Sequence, residues 1–202
     1  SLSSNKKDGD LSAIIVDNLP FWVNIHQTPN KDIRLMNDFE NKIQQMALIT
    51  AQEDVRTISG VPSWMLVLFQ KILELKEVEN ISQVWPNLEL YMHGGVSFAP
   101  YKNQFEKLIP KGINYLETYN ASEGFFGIQD QKNSDEMLLM LDYGIFYEFI
   151  PIEEIDKQKA IPLWEVEIGK TYALVISTNA GLWRYQIGDT VIFTSINPYR
   201  IK

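Results

Sequence analysis

At 202 residues, with 45% hydrophobic and 22% charged residues, the chain has the composition of a globular protein long enough to bury a real core. Its formal charge is -8, with 18 Lys and Arg scattered among 26 Asp and Glu, which argues against a nucleic-acid polymer as partner. Zero cysteines exclude disulfides, thiolate metal sites and a cysteine nucleophile, and His26 and His93 alone cannot make a multi-histidine zinc site within this chain.

No apolar run is long enough to span a bilayer, and the opening SLSSNKKDGD carries no apolar leader, so a cytoplasmic protein with no membrane partner is expected. A small anion such as a nucleotide stays compatible with the charge, because backbone N–H groups and a metal ion can hold it locally. From Ile33 to about Asp54, Met36, Phe39, Ile43, Met46 and Ala47 recur at helical spacing. VRTIS (Val55 to Ser59) reads as a short buried strand. Gly60, Val61 and Pro62 break the chain, and Ser63 is placed to cap a helix bearing Met65, Leu68, Phe69, Ile72 and Leu75. LELYM (Leu88 to Met92) is the second strand. Tyr101, Phe105, Leu108 and Ile109 then mark a helical face before NYLET (Asn114 to Thr118), the third strand. This alternation predicts an α/β first half, a βαβ parallel sheet covered by helices.

The second half changes character near Phe125 to Asp130. FFGIQD, MLLMLD, IFYEFIP, YALVIST, GLWRYQ and DTVIFTS are short, rich in β-branched and aromatic residues, and separated by Gly, Asn and Asp. They predict an antiparallel hairpin or barrel-like subdomain. The expected division is residues 1–128 for the α/β part and 129–202 for the β-rich part of one domain. No internal repeat or low-complexity segment interrupts either half.

Three stretches carry candidate chemistry. In "HGGVSFAP" (His93 to Pro100) the paired glycines allow positive φ and close approach by a ligand, or simply a tight strand–helix turn. The same stretch nearly matches the G-x-S-x-G elbow of hydrolases through Gly95, Ser97 and Ala99, but no histidine follows His93 to complete a triad. In "TYNASEG" (Thr118 to Gly124), Tyr119 is suited to stacking on a flat base, Ser122 to a phosphate oxygen, and Glu123 to Mg²⁺ as a hard oxygen ligand; a solvated turn is the plain alternative. "GLWRYQIGD" (Gly181 to Asp189) reads as a hairpin strand ending in Gly-Asp, where Asp189 is suited to vicinal hydroxyls or to an ordinary turn. Neither a Walker loop nor G-x-G-x-x-G occurs, which disfavours both common nucleotide folds.

The order of the three stretches resembles the adenylate-forming superfamily of acyl-CoA synthetases, luciferases and peptide-synthetase adenylation domains. More closely, "YNASEGFFG" with "GLWRYQIGD" is similar to the Gretchen-Hagen-three family of acyl-acid amido synthetases, the auxin-responsive proteins of plants and their bacterial relatives. "ISGVPSWMLVLFQKIL" also resembles that family, and the likeness covers nearly the whole chain, as a bacterial-type member.

The resemblance implies ATP and Mg²⁺ as cofactors, and a small carboxylic acid and an amino acid as substrates. It implies that Gly94 and Gly95 lie against the adenine or the acid, and that Tyr119 stacks on the adenine. Ser122 would contact the α-phosphate, Glu123 would hold Mg²⁺, and Asp189 would bind the ribose. Val61, Pro62, Ser63 and Trp64 would lie near the acid. Three residues depart from the common pattern: Trp183 stands where Tyr is usual, Gln186 where Arg is usual, and Asn120 where many members have Gly. The family's phosphate loop would precede Ser1 and its mobile C-terminal domain would follow Lys202, so the chain reads as a central fragment with little activity of its own. An acyl-CoA ligase, and a non-catalytic nucleotide-binding scaffold of the same fold, are the alternatives.

Overall fold

The computed structural model describes residues 18–132 and 134–202; the opening SLSSNKKDGD lies outside them. The chain is of mixed α/β class and divides into two compact units. One takes the chain to Leu90 together with Ala99–Ile113, and the other takes Tyr91–Phe98 with Asn114–Lys202. The expected division after residue 128 thus falls inside the second unit. Among the described residues no helix is long and apolar enough to cross a membrane.

In the first unit, the helix expected from Ile33 onward is split. Short helices α1 (Phe21–Asn24) and α2 (Lys31–Arg34) precede α3 (Phe39–Thr50). The split follows from two caps. Asn30 accepts from the Ile33 N–H and Asp38 accepts from the Asn41 N–H, so each starts its own helix. Strand β1 is confined to Thr57–Ser59.

Helix α4 (Pro62–Lys76) begins one residue before the expected cap. Pro62 occupies the first turn, where a missing N–H costs nothing, and Ser63 is an exposed helical residue rather than a cap. Met65, Leu68, Phe69 and Ile72 are buried as their spacing predicts, whereas Leu75 is exposed. Phe69 meets the rings of Trp85 and Phe105 edge-on, and the Trp85 indole N–H donates to the Thr50 carbonyl at 2.8 Å. That bond satisfies a buried donor which would otherwise be costly. Helix α5 spans Lys102–Leu108 and buries Phe105.

The second unit is an open sheet. Its strands are β2 (Leu90–Gly94), β3 (Asn114–Ala121), β4 (Gly124–Ile128), β5 (Met137–Leu139) and β6 (Ile145–Pro151), followed by β7 (Ile161–Pro162), β8 (Thr171–Thr178), β9 (Tyr185–Ile196) and β10 (Tyr199–Ile201). They lie in the order β2-β3-β4-β5-β10-β9-β8-β6-β7, and the ladders from β3 onward are antiparallel. Alternation puts one face inward. On β8, Tyr172, Leu174 and Ile176 enter a core with Phe126, Tyr147, Phe149, Val191 and Phe193. Aromatic rings there meet edge to face, Phe149 and Phe193 at 5.0 Å. Arg200, almost fully buried, forms a bidentate ion pair with Asp130, which holds that carboxyl below the usual range and ties β10 to the chain after β4.

Two strand boundaries decide where the polar motifs sit. β3 runs past Thr118 to Ala121, so Tyr119 is a strand residue and Ser122-Glu123 form the turn of a tight hairpin into β4. GLWR is not strand: β9 starts at Tyr185 and continues through Asp189, which therefore sits within a strand and not at its end.

Candidate nucleotide site of the second unit

Strand β2 delivers His93 and Gly94. His93 is buried, its ring stacked 4.1 Å from Phe98 and near Tyr91 and Tyr115, with no partner for Nδ1 among the described residues. Burial lowers its pKa to about 4, so the imidazole is neutral at pH 7. Its carbonyl accepts from the Thr118 hydroxyl at 3.2 Å. Gly94 is needed by this contact with β3, because a Cβ there would stand 2.4 Å from the Thr118 carbonyl oxygen. Gly95 follows with φ +80 and opens the loop. Since β2 ends at Gly94 and α5 starts only at Lys102, Ser97 lies in a longer connection of bends and turns and not on a sharp strand–helix elbow. Gly94→Ala is expected to destabilise the protein by about 1–3 kcal/mol, because the clash is with backbone that cannot rotate away. A denaturant midpoint equal to wild type would show that β2 and β3 are not so closely apposed.

The hairpin β3–β4 delivers the second motif. Its ladder pairs Tyr119 with Gly127 but Asn120 with Phe125, leaving Phe126 as a bulge residue. Phe126 is fully buried, and the half-buried Tyr119 ring rests 5.0 Å from it. Ser122 is exposed on the turn and Glu123 is half-buried beside it. Glu123 helps line an open cleft of about 650 Å³ with Phe125, Asp142, Tyr143 and Asn179. Asn120, Ser122 and Glu123 follow closely here at little cost, because no residue of β3 is buried and Ser122-Glu123 form a turn, with Glu123 opening onto a cleft where water or a ligand satisfies it.

The third motif reaches the second through another bulge. Ala173 pairs with Thr190 and Val175 with Gln186, so Ile187, Gly188 and Asp189 loop out opposite Leu174. Gly188 has φ +98, a conformation that glycine adopts without strain. Bulges re-aim side chains, and here the Tyr119 hydroxyl donates to Oδ2 of Asp189 at 2.7 Å, across 70 residues of sequence. Burial, then the bond to Asp189, raises the Tyr119 phenol above its ordinary range, with the Glu123 charge also contributing. It remains a donor. Tyr119 and Asp189 therefore meet directly, and the Glu123 charge acts on Tyr119 from the adjoining turn, while the cleft that Glu123 lines includes neither of them.

Among the described residues no group of three or more His, Asp or Glu is arranged to hold a metal ion by itself. Mg²⁺ bound mainly through substrate phosphates needs only one or two protein carboxylates, and Glu123 forms no ion pair among the described residues. The donor set fits a phosphate-borne Mg²⁺. Val61, Pro62, Ser63 and Trp64 belong to the first unit. There Pro62 is buried, while Trp64 is 55% exposed with its ring 4.7 Å from Phe39.

Several contributors are given no role of their own by the motif reading, although Thr118, Phe126 and Gly188 lie within the quoted stretches. Thr118, Phe126 and Gly188 shape the site without touching its opening, and Asp142, Tyr143 and Asn179 reach the cleft from distant loops. Arg184 adopts φ +47, with its N–H bound to the Ser177 hydroxyl and its Nε to Glu148. The one legible signal among them is Gly188 inside a strand pattern, which is a bulge signature.

Comparison with known proteins identifies the family. A model of the GH3 family N-terminal domain matches residues 3–113, and a model of the GH3 family central domain matches residues 138–202. The chain belongs to the GH3 family. This is the Gretchen-Hagen-three family that the motifs resemble, and the hairpin bearing Tyr119 and Glu123 lies between the two matched stretches. The GH3 chain is 32% identical over 123 residues to the indole-3-acetic acid-amido synthetase GH3.3 of Arabidopsis thaliana, covering 56% of this chain and 20% of that protein. It is 31% identical over 121 residues to the 4-substituted benzoates-glutamate ligase GH3.12 of Arabidopsis thaliana, covering 56% and 20%. It spans about a fifth of the length of these curated relatives. Among solved structures it is similar to the GH3.15 acyl acid amido synthetase, with TM-score 0.68 at 15% identity, covering 85% of this chain and 41% of that one. It is also similar to a 2-hydroxyisobutyryl-CoA ligase in complex with 2-HIB-AMP and CoA, with TM-score 0.58 at 15% identity, covering 79% and 35%. These structural likenesses show that the chain shares the fold of those two proteins.

Proposed function

We propose that the whole protein is an ATP-dependent acyl-acid amido synthetase, which adenylates a carboxylic acid and then joins the acyl group to an amino acid. One observation carries this reading: the hydrogen bond that brings Tyr119 of one motif onto Asp189 of another, beside the turn that bears Ser122 and Glu123. In this reading the Tyr119 ring flanks the adenine and Asp189 accepts hydrogen bonds from the ribose hydroxyls. The Ser122 hydroxyl donates to the α-phosphate, and the Glu123 carboxylate holds Mg²⁺. Gly94 and Gly95 edge the adenine or acid, and Val61, Pro62, Ser63 and Trp64 contribute to the acid pocket.

In the first half-reaction a carboxylate oxygen attacks the α-phosphorus of ATP, and pyrophosphate leaves. In the second, the amine of an amino acid attacks the acyl carbon; AMP leaves, and the amine loses its proton. Neither step needs a protein nucleophile, in keeping with a chain without cysteine and with a buried, neutral His93. Bound Mg²⁺ supplies charge neutralisation on the phosphates. The side chains supply placement and donors, which is where catalysis of such transfers resides.

The test is acid-dependent ATP–pyrophosphate exchange by the whole protein, followed by mass spectrometry of products formed with free amino acids or with CoA. Exchange with an amide product is expected. A thioester product would instead identify an acyl-CoA ligase, and absence of both exchange and ATP binding would identify a scaffold.

A further inference from the structure

We propose that Tyr119 is a positioning residue for ribose recognition, its hydroxyl fixing the Asp189 carboxylate so that the site discriminates ribose from deoxyribose. This rests on the nucleotide reading above and adds to it a second role for Tyr119, separate from the face of its ring. Asp189 is exposed and lies on a bulge built around Gly188 at φ +98, so its own backbone gives the side chain little support. A solvent-facing carboxylate with free rotamers loses conformational entropy whenever it closes on a ligand. The 2.7 Å bond from the Tyr119 hydroxyl removes that freedom in advance. It is a bond to an ionised acceptor, and so among the stronger side-chain hydrogen bonds.

The donor is itself anchored. Tyr119 stands on β3 opposite Gly127, against the fully buried Phe126 of the neighbouring bulge. Two bulges, one in each hairpin, thus aim a rigid donor at an otherwise loose acceptor. An ionised carboxylate has about four acceptor positions, so one bond to Tyr119 leaves capacity for two vicinal hydroxyls. Loss of the donor is therefore felt at the ribose rather than at the phosphates.

The experiment compares ATP with 2′-deoxyATP and 3′-deoxyATP in pyrophosphate exchange by the whole protein. Tyr119→Phe keeps the ring and removes the hydroxyl. It should raise KM for ATP roughly tenfold, with a smaller change in kcat, and bring the ATP to deoxyATP ratio of kcat/KM toward one by a similar factor. Asp189→Ala should abolish the same discrimination, and adding Tyr119→Phe to it should cost nothing more. A purely structural Tyr119 would lower activity toward all three nucleotides alike. An unchanged ratio in Tyr119→Phe, or additive losses in the double variant, would overturn the positioning role while leaving the synthetase reading intact. No binding of ATP with Mg²⁺ by the wild-type protein in calorimetry would overturn both. Thermal melting of Tyr119→Phe is expected to match wild type, and a crystal structure of a variant that melts early would still report whether Asp189 has changed rotamer.

Discussion

Glu123→Ala should lower acid-dependent ATP–pyrophosphate exchange by about 10²-fold, the scale of losing one preorganised charge-stabilising contact. Glu123 sits in the tight turn between β3 and β4, where the pairing of Ala121 with Gly124 leaves little backbone freedom. Its carboxylate opens onto the cleft shared with Asp142 and Asn179 and is not committed to an ion pair among the described residues. Because hard cations prefer anionic oxygen, Glu123→Gln should lose nearly as much as Glu123→Ala, while Glu123→Asp should retain part of the rate at raised Mg²⁺. Asp142→Ala tests whether acidity of the cleft alone suffices, and should have a much smaller effect. Exchange that is unchanged in Glu123→Ala would remove this residue from the mechanism. The loss should appear without a fall in melting temperature, since a half-buried turn residue without an ion pair contributes little to folding.

Phe193→Ala should destabilise the protein by about 3–5 kcal/mol, read as a lower denaturant midpoint at unchanged slope. Phe193 is fully buried in the middle of β9 and meets Phe149 at 5.0 Å, Tyr172 at 5.9 Å and Tyr199 at 6.1 Å. Removing its ring withdraws one partner from three edge-to-face contacts at once and leaves a cavity between β9, β6, β8 and β10. Its carbonyl also accepts from the Gly169 N–H at 2.8 Å, so the backbone here is held from two sides and cannot collapse far into the space. Phe193→Leu, which keeps most of the volume, should cost less than half as much. A loss below about 1 kcal/mol for Phe193→Ala would mean that this core is not the one that holds the sheet together.

The same strand carries the Asp189 bulge, so in the proposed reading stability and function are joined. Bulges are maintained by the regular ladder on either side of them, here Gln186 with Val175 and Thr190 with Ala173. Variants that loosen β9 should therefore weaken ribose discrimination before they abolish folding.

Residue by residue, the sequence was most legible where local chemistry decides the outcome. Helical spacing found the buried face of α4 from Met65 to Ile72, and runs of β-branched and aromatic residues between Gly, Asn and Asp found β6 and β8 close to their observed bounds. It was least legible where capping and pairing compete with pattern. Asp38 starts a new helix within an unbroken apolar period, and Pro62 takes the helix start that Ser63 resembled. The three polar motifs, their order and the family they resemble were readable because each needs particular residue types in a short stretch. What chain order cannot express is register. A single extra residue at Phe126, and the Ile187–Asp189 bulge on β9, turn two separate stretches toward each other, and only the paired sheet determines that Tyr119 holds Asp189. Bulge placement depends on which neighbour each strand pairs with, and that is settled by burial of the whole core rather than by any local run of residues.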